Sequence, residues 1–162
     1  MKKILKVLGI FLAVLVMVLT FFYLKNNESL PKGNEGKEAD ALATKMLSAI
    51  NYEAYKETEL IEWSFRGEHF YKWYKSENKV EVSWNGNTVL LHTKDTHKSK
   101  VIGSKKGTNT QKLIKKATDY FNNDSFWLVA PFKVFDDGVQ RRIVKYNDKD
   151  ALLITYTSGG ST

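Results

Sequence analysis

The sequence predicts an α+β fold held behind a single N-terminal transmembrane helix, and three observations lead there. Residues 7–24 run without a charge. From residue 58 the apolar residues alternate with polar ones in successive short runs. Two stretches, 38–51 and 111–121, instead place apolar residues at helical spacing. Read in order, the elements are helix, strands, helix, strands. That order suits a curved antiparallel sheet, an incomplete barrel, with helices packed on its concave face.

The first element is MKKILKVLGIFLAVLVMVLTFFYLK. Its uncharged 18 residues span roughly 27 Å as a helix, close to the hydrocarbon thickness of a bilayer. A core helix would carry a polar stripe, and this one is apolar all round. A cleaved leader would end in small residues, whereas Thr20-Phe21-Phe22-Tyr23-Leu24 is bulky. Residues 1–25 therefore read as an uncleaved signal anchor that meets the membrane through residues 4–24. Lys2, Lys3 and Lys6 precede the span and Lys25 alone follows it. The bias of positive charge places the N-terminus in the cytoplasm and everything after Lys25 outside it.

Residues 26–37, with Pro31, Gly33 and Gly36, read as a flexible tether, and residues 38–162 as the extracytoplasmic domain. Ala39, Leu42, Ala43, Met46, Leu47 and Ile50 give the first domain helix an apolar face. Period two then sets in. Ile61, Trp63 and Phe65 share one side of a strand that Gly67 ends; His69, Tyr71 and Trp73 share a side of the next, and Val80, Val82 and Trp84 of a third. Asn85-Gly86 is a strong hairpin turn, with Thr88–His92 as the return strand. Val101-Ile102 adds a short strand. Thr110 caps a helix whose apolar set is Leu113, Ile114, Ala117, Tyr120 and Phe121. A last hairpin pairs residues 140–146 with 151–157 about Asn147-Asp148.

Between helix and hairpin lies FNNDSFWLVAPFKVF. Here the polar side chains of Asn122–Ser125 are expected to stop the helix and cap a turn. Phe126 to Val129 then form a buried plug, with Trp127 fully enclosed. Ala130, before Pro131, is pushed towards extended geometry.

Composition narrows the chemistry. Of the formal charge of +7, the first 25 residues supply four; beyond them 21 Lys and Arg face 18 acids, a mild excess that argues for no nucleic-acid partner. Only Lys98, Lys100, Lys105 and Lys106 cluster. The absence of cysteine removes disulfides, thiolate catalysis, cysteine-bound zinc and an acylated N-terminal cysteine. His69, His92 and His97 fit no zinc-enzyme spacing and read as surface histidines. Asp136-Asp137-Gly138 reads as a turn. Ser158–Thr162 lacks the lysine and the helix of a phosphate loop. No nucleophile elbow or dinucleotide fingerprint is present, so no catalytic residue, metal or cofactor is expected, and no enzyme.

The remaining signal is aromatic. Trp63, Tyr71, Trp73 and Trp84 fall on successive strands with a period that gathers them on one face, together with Phe65. They form either a plain core or the lining of an apolar cavity. The segments EWSFRGEHFYKW, NNDSFWLVAPFKVFDDG and ALLITYTSGGST resemble, over residues 38–162, a family of Gram-negative envelope proteins distantly similar to the LolA/LolB-type lipoprotein carriers. The resemblance implies an inner-membrane protein whose domain faces the periplasm and takes a lipid or a lipoprotein acyl chain. Trp63, Phe65, Tyr71, Trp73, Trp84, Phe126 and Trp127 would line its cavity. It also implies further sheet past SGGST, hence an expected C-terminal truncation. The rival expectation is a structural or protein-interaction domain of the envelope with a solid core.

Overall fold

The computed structural model describes residues 2–27, 29–105 and 107–157. Helix α1 (Lys2–Asn26) buries none of its side chains, and it is long and apolar enough to cross a membrane. The chain divides into two compact units, Met1–Lys32 and Gly33–Thr162. The division falls inside the expected tether, because Gly33 to Gly36 belong to the folded unit. Asn34 and Ile143 exchange backbone hydrogen bonds of 3.1 and 2.9 Å, and Glu35 meets Arg142 at 3.0 Å.

Helix α2 (Lys37–Ala49) follows, burying Ala39, Ala43 and Leu47 at helical spacing. A short helix absent from the sequence reading, α3 (Tyr52–Glu57), comes next. Asn51, in the left-handed region with φ 54°, turns the chain and caps α3 by accepting from Ala54 N. Strands β1 (Leu60–Phe65), β2 (His69–Tyr74), β3 (Lys79–Trp84), β4 (Asn87–His92) and β5 (Lys100–Gly103) form an antiparallel meander in sequence order. The Asn85-Gly86 turn has φ of 45° and 76°, the doubly left-handed geometry that matches strand twist.

Helix α4 (Thr110–Val129) is longer than the sequence suggests, and Asn109 rather than Thr110 caps it, accepting from Lys112 N. It passes straight through Asn122–Ser125 and ends only at the 3₁₀ turn Ala130–Lys133, which holds Pro131. Polar residues that favour caps on solvent-facing backbone remain helical here, because Asp124 and Ser125 find partners inside. The expected plug is thus the last turn of a helix. Trp127 is not enclosed but 69% exposed.

The last hairpin, β6 (Val139–Tyr146) and β7 (Lys149–Tyr156), turns at Asn147-Asp148 with φ of 49° and 60°. It is a separate two-stranded sheet, not a continuation of the meander. The helices accordingly do not share one face. Helix α4 lies across β3, β4 and β5, whereas α2 lies on β6 and β7. Two cores result. One holds Tyr71, Val80, Val82, Trp84, Val89 and Leu91 of the sheet under Leu113, Ala117 and Phe121 of α4. The other gathers Ala43, Leu47 and Val134 with Phe132, Leu152 and Ile154. Ser158–Thr162 and Lys106 lie outside the described residues.

Candidate functional site

Alternation along β1, β2 and β3 brings Trp63, Phe65, Tyr71, Trp73 and Trp84 to one face, as the sequence predicts. There they are packed by rings. Trp63 stacks on Tyr71 at 4.4 Å between centroids, and Phe121 of α4 stands edge-on to Trp73 at 5.3 Å. Trp84 meets Tyr120 at 5.6 Å. The Trp63 indole N–H is buried without a hydrogen-bond partner among the described residues. Phe126 lies elsewhere, edge-on to Tyr156 at 4.9 Å, and Trp127 lies at the surface. The seven expected residues are thus five in one aromatic layer, one beside β7, and one outside.

Helical spacing on α4 carries the burial of Leu113, Ala117 and Phe121 onward to Asp124 and Ser125, both almost without exposure. A carboxylate there needs donors, and it has three. Its Oδ2 accepts the Tyr71 hydroxyl at 2.5 Å and His69 Nδ1 at 2.7 Å, and its Oδ1 accepts the Asn123 amide at 2.8 Å. Burial, the hydrogen bond to Asp124 and that carboxylate's charge together push the Tyr71 phenol well above its ordinary pKa. It stays a neutral donor at any physiological pH. The Ser125 hydroxyl donates to the Phe121 carbonyl at 2.5 Å.

His69 departs from the surface role expected of it. Two residues before Tyr71 on the same strand, it faces inward, and its side chain is only 16% exposed. Its ring stacks on Tyr120 at 3.7 Å. Nδ1 donates to the Asp124 carboxylate, and among the described residues no hydrogen bond engages Nε2 on the far side of the ring. Of the other two histidines, His92 ends β4 and is half-buried, and His97 lies in the β4–β5 connection. His92 Nδ1 accepts from Asp95 N at 3.2 Å, and His97 is exposed.

His69 and Asp124 form the floor of an open cleft of about 580 Å³. One wall is the α4 face carrying Tyr120, Asn123 and Trp127; the other is the β1–β2 turn with Phe65, Arg66 and Glu68. Arg66 and Gly67 both have left-handed backbones, φ 53° and 70°, and the Arg66 guanidinium lies over the Phe65 ring at 5.4 Å. Sequence reading missed this site because His69 and Asp124 are 55 residues apart. The available signal was His-x-Tyr on a strand whose alternate positions are otherwise apolar.

The expected turn at Asp136-Asp137-Gly138 is present, with Asp136 paired to Lys133 at 2.8 Å. Among the described residues no three His, Asp or Glu side chains are grouped as metal ligands would be. Fold and site together define an α+β domain behind an apolar N-terminal helix, with a buried carboxylate–imidazole pair opening to a cleft. Compared with known proteins, the chain matches no family model, no curated protein and no solved structure.

Proposed function

We propose that this chain is a membrane-anchored binding domain, displayed outside the cytoplasm, whose ligand sits in the cleft beside α4. The observation that carries the reading is the placement of Asp124. A buried carboxylate held by three donors is costly to assemble unless it orients something, and what it orients is an imidazole at a cleft floor. The anchoring rests on the uncharged residues 7–24 of helix α1 and on Lys2, Lys3 and Lys6, which precede them. Inner-membrane location with a periplasmic domain follows from the family resemblance. Binding is preferred to catalysis because, among the described residues, no Ser, Thr or Cys lines the cleft, and Ser125 is committed to the Phe121 carbonyl.

The packing of Phe121 against the aromatic layer favours a second reading, an envelope interaction domain with a solid core. A carrier for a lipid or a lipoprotein acyl chain would have to lift α4, so that the chain replaces Leu113 and Phe121 on that layer. One experiment separates the three. Full-length protein is extracted from membranes, and bound small molecules are read by native mass spectrometry in wild type and in Trp127→Ala. A molecule lost in the variant supports the cleft. A lipid retained in both supports the carrier. Protein bare in both leaves the interaction domain. Recovery of the protein without detergent, starting near Asn26, would overturn the anchor.

A further inference from the structure

Resting on the reading of the cleft as a binding site, we propose that its ligand is a neutral saccharide stacked on Trp127. The indole of Trp127 is 69% exposed, and among the described residues its one ring neighbour is Phe126, edge-on at 5.6 Å. A large aromatic face left open at the mouth of a cleft offers a platform for a flat, partly apolar ring. The other rings of the cleft are already covered: Tyr120 by His69 at 3.7 Å and Phe65 by Arg66 at 5.4 Å. Trp127 is therefore the stacking surface that the cleft has to offer.

The rest of the lining is polar and planar. Arg66 supplies donors, Glu68 and the Asn123 amide oxygen acceptors, and the His69 ring a further polar group. The lining carries one guanidinium, Arg66, and one outward carboxylate, Glu68, while Asp124 is engaged by its own three donors. Such a lining disfavours an acyl chain, which would strip water from these groups and return nothing. It disfavours a phosphate or polyanion, which would meet Glu68 with one fixed cation to offset it. A pyranose fits both halves: its C–H face lies on the indole, and its ring of hydroxyls both donates and accepts. The volume of about 580 Å³ accommodates more than one sugar unit.

The test uses the full-length chain in a detergent without a sugar headgroup, such as lauryldimethylamine oxide. Because the four tryptophans all lie after residue 60, the indole N–H of Trp127 can be assigned by its loss in Trp127→Ala. Maltose, cellobiose, diacetylchitobiose and adenosine are titrated in turn. At least one disaccharide is expected to shift the Trp127 signal saturably. Its dissociation constant, read in wild type and every variant by isothermal titration calorimetry, should weaken at least tenfold in Trp127→Ala and in Glu68→Gln, and stay within threefold in Trp127→Tyr. Absence of a shift with all three disaccharides, saturation by adenosine alone, or unchanged affinity in Trp127→Ala overturns the proposal. If the native spectra show a Trp127-dependent ligand that is not a saccharide, the cleft reading survives while the saccharide inference fails.

Discussion

Asp124 Oδ2 accepts the hydroxyl of Tyr71 at 2.5 Å, joining the buried end of α4 to the middle of β2 across 53 residues of sequence. Because the same oxygen receives His69, removing it strands two donors in the interior. Asp124→Ala should lower stability by about 3–5 kcal/mol, the scale of leaving two buried donors unsatisfied at about 1–3 kcal/mol each. Tyr71→Phe should cost less, about 1–3 kcal/mol, since the carboxylate keeps two donors. In the double variant the losses should fall short of additive by about 1–3 kcal/mol, measured by urea unfolding. Strict additivity would mean that the two side chains do not share energy.

The same relationship has a pH signature. The Tyr71 pKa is raised above its ordinary 10.0, by burial first and then by Asp124. The folded state therefore keeps the phenolic proton at a pH where the unfolded chain has released it. Unfolding then releases a proton, and stability is intact below pH 10 and falls as pH rises beyond it. Between pH 10 and 11 the wild type should lose stability more steeply than Tyr71→Phe, by up to about 1.4 kcal/mol per pH unit. Equal slopes in the two proteins would place the Tyr71 phenol in water. Comparison with the variant matters because Tyr55 and Tyr156, also raised by burial, contribute to both curves.

Two large aromatics on α4 should behave oppositely. Phe121 is 1% exposed and touches Trp63, Tyr71 and Trp73, so Phe121→Ala should cost about 3–5 kcal/mol. Trp127, six residues on, faces solvent, and Trp127→Ala should stay within about 0.5 kcal/mol of wild type. A large loss at Trp127 would show that a partner surface covers it in the intact protein.

The contrast between Phe121 and Trp127 also marks where the sequence is legible. Periodicity placed Leu113, Ala117 and Phe121 on the buried face of α4, and paired left-handed turns placed the hairpins at Asn85-Gly86 and Asn147-Asp148, because local geometry demands those residue types. It failed at Asn122–Ser125, where cap-forming residues continue a helix. The partners of Asp124, Tyr71 and His69, lie on a strand more than fifty residues away, and no local rule can see them. The short helix α3 was hidden for a related reason. Its six residues are too few to show a period, and it is held by ring stacking of Tyr55 on Phe132 at 4.0 Å. The aromatic layer was legible as a face. Whether a ligand or a helix covers such a face is decided by the register of α4.

The junction between the tether and the domain gives a last prediction. At Gly33 a methyl group would meet the Ile143 carbonyl oxygen and lie 2.6 Å from Val144 Cγ1. Only glycine lets the chain approach β6 closely enough for Asn34 to pair with Ile143. Gly33→Ala must therefore push the segment off the strand or strain β6, at a cost of about 1–3 kcal/mol if the strand holds its place. The amide of Ile143, which donates to the Asn34 carbonyl at 2.9 Å, reports the outcome directly. Its hydrogen exchange should accelerate at least tenfold in Gly33→Ala, and limited proteolysis should open the segment between Gly33 and Lys37, while the amides of β3 and β4 keep their protection. An unchanged Ile143 amide would mean that residues 33–36 do not dock, and that the flexible tether extends to the start of α2.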